Sequence, residues 1–148
     1  MGLKNDQFNL ERFLTAQDPV FETVLTELNS GRKKTHWMWF IFPQLRILGY
    51  SDTAKYYGIE DITESKAYLK NSVLRNRLIN CLKALSTHKN LSAIHIFGKT
   101  DAKKLRSSLT LFIDATDDPE LNGLIIATLQ HYFDNERCSQ TEIFIESS

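Results

Sequence analysis

Long apolar runs are missing from this chain: no stretch approaches the roughly eighteen consecutive apolar residues that a membrane-spanning helix needs. Cysteine is scarce as well. Cys81 and Cys138 are the two, too few for a disulfide framework or a four-ligand zinc site. The four histidines are scattered, without His-x-x-x-His or Cys-x-x-Cys pairing, so neither a metal nor a cofactor is expected. The six glycines stand singly, none in a G-x-G or G-K-[ST] setting, which removes the phosphate-cradling loops. Net charge is also missing, because 18 basic side chains balance 18 acidic ones. A dedicated nonspecific nucleic-acid binder is usually basic, so nucleic acid is disfavoured as a partner. The opening residues MGLKNDQFNLERF lack the apolar core of a secretory signal, and Asp6 stands where a myristoylation motif wants Ser or Thr. A cytoplasmic protein is the expectation.

What the chain has is helical periodicity with marked ends. There is no internal repeat and no linker rich in Pro, Gly or Ser, so residues 1–148 read as one domain. Residues 9–17 put Leu10, Phe13 and Leu14 on one face, with Asn9 as a cap. Asp18-Pro19 has the form of a capping acid before a first-turn proline, and Phe21, Val24, Leu25 and Leu28 follow until Gly31 stops the helix. Ser51-Asp52 opens a short helix that Gly58 closes, and Thr63 to Lys70 is another. Ser72 caps a longer helix with the stripe Leu74, Leu78, Cys81, Leu82 and Leu85. A short turn at 92–97 ends on Gly98, and Asp101 caps the helix that carries Leu105, Leu109, Phe112 and Ile113. Asp118-Pro119 launches a last helix to about Phe133, and the tail beyond reads as irregular, with a weak strand-like alternation from Thr141 to Ile145. The fold expected is all-α: one compact domain of eight or nine mostly short helices.

One segment stands apart. His36-Trp37-Met38-Trp39-Phe40-Ile41-Phe42-Pro43-Gln44 follows Gly31-Arg32-Lys33-Lys34 and holds both tryptophans beside a basic triplet. Its apolar run is too short for periodicity to separate strand from helix. A lone strand among helices would have no ladder partner, so 36–42 is read as a short buried helix. Trp39, Phe40, Ile41 and Phe42 are assigned to the core. Lys33, His36 and Gln44 are polar groups at its edges that need a reason to be there.

The stretch GRKKTHWMWFIFPQ, with Leu48-Gly49, Tyr57, Ile59, Ile96-Phe97-Gly98 and KLRSSLTLF, resembles the domain-of-unknown-function family numbered 1810. The resemblance implies a compact α-helical domain, is expected over about 8–112, and becomes loose past Phe112. Tyr50 departs from it, standing where many relatives carry a basic residue. Members are sometimes labelled calpastatin-like, which this composition opposes: an inhibitor that folds on its target is rich in Pro, Ser, Lys and Glu, whereas here three prolines accompany sixteen aromatic residues.

Candidate functional residues come from three places. Around the aromatic run, Trp37 or Trp39 can stack on a flat ring, Lys33 can meet an anion, and His36 can act as donor or acid–base group. On the later helix, Lys104 lies one turn before Ser107 and Ser108, an anion-contact spacing. On the first helix, Arg12 and the Ala16-Gln17 pair offer a bidentate donor and an amide. With Gln44 and Tyr57 the candidate ligand set is Arg12, Gln17, Lys33, His36, Trp37, Gln44, Tyr57, Lys104, Ser107 and Ser108, and His36 is the candidate catalytic group. Two readings follow. One is a site for a small anionic, nucleotide-like ligand, the ADP-ribose type included, either bound or processed. The other is an interaction module that docks a protein through the aromatic segment. The sequence assigns neither a reaction nor an oligomeric state.

Overall fold

The computed structural model describes residues 6–148. Among them are nine helices and no strand: α1 Glu11–Gln17, α2 Phe21–Ser30, α3 Met38–Ile41, α4 Asp52–Tyr56, α5 Ile62–Lys70, α6 Ser72–Ser86, α7 Ala93–Ile113, α8 Pro119–Phe133 and α9 Ser139–Ser147. A 3₁₀ turn covers Arg46–Leu48. The all-α, single-domain expectation holds, and 36–42 does contain a short helix.

Side-chain caps explain most helix starts. Ser51 accepts from the Ala54 N–H ahead of α4, Asp61 from Glu64 ahead of α5, and Asp118 from Glu120 ahead of α8, with Pro119 in the first turn. Three expected caps in the first half of the chain moved. Asn9 sits at φ 53°, and the Asp6 carboxylate instead takes the N–H groups of Leu10 and Glu11 at 2.6 and 3.0 Å. Asn71, one residue before Ser72, caps α6. Asp18-Pro19 forms a turn, and α2 begins at Phe21 with no side-chain cap, because Asp18 is drawn to Arg77 at 2.7 Å.

Gly31 ends α2 with φ 78°, as a left-handed stop requires. Within α7, Gly98 (φ 80°, ψ 165°) breaks the helix into two arms. Asp101, expected to cap the second arm, is turned toward Lys33. The tail is a correction: α9 is helical. Thr141, Phe144 and Ile145 face the protein at helical spacing while Ile143 stays 62 % exposed, so an apparent alternation hid a helix.

The core lies between α2, α6, α7 and α8. Leu74, Cys81, Leu82 and Leu85 of α6, Leu105, Leu109 and Phe112 of α7, and Leu121, Ile125 and Leu129 of α8 are fully buried. Each such leucine contributes about 1.5–3 kcal/mol on leaving water. α6 packs on α2, α5 and α8, α7 packs on α8, α5 and α9, and α1 closes over α3.

Candidate functional site

The basic loop after Gly31 is held by one acid. Glu27 lies on the buried face of α2, one turn after Val24 and next to Leu28. Its Oε1 accepts from the Lys34 N–H at 2.6 Å, the Thr35 N–H at 3.0 Å and Trp37 Nε1 at 3.0 Å, and its Oε2 from the Thr35 hydroxyl at 2.6 Å. Burial pushes the carboxyl pKa upward, but the Thr35 hydroxyl, the two backbone donors and the indole together outweigh it and hold the value at about 2. Glu27 therefore stays charged, fixes the loop and orients the fully buried Trp37.

The same loop is tied to α7. The Lys33 N–H donates to the Ile96 carbonyl at 2.7 Å, just before the Gly98 break. The Lys33 side chain runs 5.0 Å from the centre of the Trp37 ring to reach Asp101 at 3.0 Å. Lys104 approaches the same carboxylate at 3.8 Å and lies 5.7 Å from the Trp39 ring centre. Two ammonium groups thus share one carboxylate, which leaves the cluster one positive charge in excess.

Trp39 is half-buried, which corrects its assignment to the core; Trp37, at 1 % exposure, is the interior tryptophan. Alternate residues of a one-turn helix face different sides, and α3 turns Trp39 outward. The exposed His36 ring stacks near it, with centres 6.5 Å apart and planes at 28°. Below Trp39 a crevice of about 10 Å³, room for about one water, is lined by Gln44, Tyr57, Gly58 and Lys104. Among the described residues the Gln44 amide makes no hydrogen bond, while its backbone carbonyl accepts from Ile59 at 2.9 Å.

Lys33, His36, Trp37, Gln44, Tyr57 and Lys104 therefore gather around Trp39 and Asp101. Arg12 and Gln17 do not line the crevice; they brace it from behind. Arg12 donates to the carbonyls of Phe8, Asn9, Tyr56 and Gly58 and pairs with the buried Glu64 at 2.7 Å. The Gln17 amide donates to the Phe40 carbonyl at 2.7 Å and the Tyr68 hydroxyl at 3.1 Å, and its oxygen accepts from Arg77 at 3.2 Å. These polar groups are occupied within the protein. Ser107 and Ser108 do not join Lys104. The Ser107 hydroxyl donates to the Lys103 carbonyl at 3.0 Å, and Ser108 is fully buried.

His95, between Ile94 and Ile96, is exposed. Cys81 lies in the core as expected, and burial pushes its thiol well up. Glu27 and Glu64 went unrecognised as site-building residues. Glu27 carried a signal, since an acid within the Val24–Leu28 apolar stripe has to find partners. Among the described residues no three His, Cys, Asp or Glu side chains gather as metal ligands, and no helix is long and apolar enough to cross a membrane.

Fold and site together define a single-domain, all-α protein with an aromatic–cationic cluster at the junction of α3 and the break in α7. The chain belongs to the family described as protein of unknown function (DUF1810), whose model matches residues 7–145. The match continues well beyond Phe112, so α8 and most of α9 are part of the family pattern. A crystal structure described as the conserved hypothetical protein Rv1873 from Mycobacterium tuberculosis is similar: 42 % identical, TM-score 0.92, with 97 % of this chain and 100 % of that one covered. No curated protein matches the chain.

Proposed function

We propose that the chain binds a small, flat, anionic ligand of nucleotide type against Trp39, with Lys104 meeting the anion. The observation that carries this reading is the convergence of His36, Lys104 and Gln44 on the half-buried Trp39, beside a carboxylate shared by two lysines. A ring stacked on an indole face and a phosphate on an ammonium are the contacts such a set offers. The crevice holds about one water, so the ligand lies across its mouth and Lys104 leaves Asp101 to meet it. Lys33 stays on Asp101, where its 9 % exposed side chain is already fixed. Should the ligand be processed, His36 is the group placed to exchange a proton. A cytoplasmic setting belongs to this reading, supported by two cysteines that are both free thiols.

Calorimetric titration with AMP, ADP and ADP-ribose tests it. Binding of one of the three is expected, and Lys104→Ala should weaken it at least tenfold while leaving the melting temperature nearly unchanged. Equal loss of binding and stability would make Lys104 structural. The small crevice favours a second reading, a docking surface for another protein. Native mass spectrometry of freshly purified protein separates the two: a retained small mass supports the ligand, a retained polypeptide the docking surface.

A further inference from the structure

A cleft of about 680 Å³ opens where α5, α6 and the α7–α8 connection meet, and it shares no residue with the Trp39 cluster. Small-ligand sites occupy about 300–1,000 Å³, so its size is that of a binding site. The helices supply cations, Lys66 and Lys70 from α5 and Arg75 from α6. The connection supplies carboxylates, Asp114, Asp117 and Asp118. The cleft is therefore charged on both sides and neutral as a whole. Leu69 and Ala115 add apolar surface to it.

One pair spans the gap. Arg75 Nε stands 4.0 Å from Asp118 Oδ2, the limit of an ion pair, and both groups are held by their own neighbours. Arg75 Nη1 donates to the Leu69 carbonyl at 3.1 Å, and Asp118 Oδ1 accepts from the Glu120 N–H at 3.1 Å. Among the described residues Lys66, Lys70, Asp114 and Asp117 form no ion pair, although opposite charges line the same cleft. Local structure gives two of these no reason either. Lys66 and Lys70 stand one turn apart on α5, where like charges repel. Asp114 caps the C-terminal end of α7, the end at which the macrodipole disfavours an acid. Between the charges, the Thr116 hydroxyl oxygen accepts from the Asp118 N–H at 3.1 Å, which leaves its proton to be donated.

We propose that this cleft binds a short free peptide, with its terminal carboxylate on Lys66, Lys70 and Arg75 and its terminal ammonium on Asp114 and Asp117. A sphere of 680 Å³ is about 11 Å across, the span of three extended residues at about 3.5 Å each. A tripeptide thus reaches from one set of charges to the other with both ends ionised. Its peptide carbonyls can accept from the Thr116 hydroxyl, and small apolar side chains rest against Leu69 and Ala115. Arg75 is suited to the carboxylate, because its Nη2 is unspent among the described residues and a guanidinium matches that group in shape. A ligand of one sign leaves the opposite charges unanswered, so a nucleotide, a lone phosphate or a polyamine fits this cleft worse.

The test titrates trialanine into the isotope-labelled full chain and follows the backbone amides by NMR, beside the N-acetylated, C-amidated and doubly blocked peptides. Trialanine is expected to shift the amides of residues 66–75 and 114–118, and blocking either end should weaken binding at least fivefold. Asp114 and Asp117 are exposed, so their joint change to Asn should leave the fold intact. In that double variant, Asp114→Asn with Asp117→Asn, the free and acetylated peptides should bind alike. The proposal is overturned by the absence of shifts at millimolar trialanine, or by shifts confined to other residues. Equal binding of the free and doubly blocked peptides would overturn it as well, and so would tighter binding of the acetylated form, which marks a plain anion site.

Discussion

Trp37 and Trp39 are two positions apart in the chain and face different media, so their removal should cost different amounts. Trp37→Ala empties a fully buried site and strips Glu27 of one donor, an expected loss of about 3–5 kcal/mol. Trp39→Ala removes a half-buried ring, and a loss below about 2 kcal/mol is expected. Paired denaturant melts would show the difference. Glu27 makes a pH prediction. Its folded pKa, about 2, lies below the ordinary 4.5, so the stability it adds is complete above pH 4.5 and drains away as pH falls toward 2. Glu27→Gln loses that contribution at neutral pH. Urea melts of the two proteins should differ most near pH 7 and converge near pH 2.

At the scale of the element, glycine serves two purposes here. At Gly98 the backbone is left-handed with open space around it, so the demand is conformational. At Gly58 it is proximity: an added Cβ would stand 2.4 Å from the Arg46 Cα, where backbone cannot easily give way. Gly58→Ala should cost about 1–3 kcal/mol by crowding, readable as a drop in thermal midpoint. The sequence reading had Gly58 as a helix stop, because the approach of Arg46 depends on tertiary structure. Most helices were legible from stripes and punctuation: Gly31, Gly98, Ser51 and Asp118 all act where their residue types suggest. Two of the caps that moved did so because their acids found distant cations, Asp18 on Arg77 of α6 and Asp101 on Lys33 of the loop after α2, and local propensity cannot register a distant partner. The helix α9 was hidden for a different reason. Nine residues with Ile143 left outside fit two periods equally well.

For the molecule as a whole, Arg12 ties segments far apart in sequence. One guanidinium joins residues 8 and 9 to residues 56, 58 and 64. Arg12→Ala leaves the Glu64 carboxylate buried without its cation, and a loss of about 3–5 kcal/mol is expected. Arg12→Lys should recover only part of it, since an ammonium cannot span those acceptors; equilibrium unfolding would rank the three proteins. The cluster around Trp39 was half legible in the same sense. Lys33, His36 and Gln44 adjoin one apolar run, but their meeting with Lys104 depends on the break in α7, and the retreat of Arg12 and Gln17 behind the wall depends on Glu64 and Tyr68. The paired backbone at Leu45 and Ile59 carries one more consequence. In polymer terms, the path from Arg46 to Gly58 is a ring whose neck is two hydrogen bonds, Ile59 N–H to the Gln44 carbonyl at 2.9 Å and Arg46 N–H to the Ile59 carbonyl at 2.8 Å. Closing a ring costs entropy only as the logarithm of its contour, about 0.6 kcal/mol for each doubling. Its crown at Tyr50 is 94 % exposed, so the contour can lengthen or change there while the neck keeps Gln44 and Tyr57 at the lining of the same crevice.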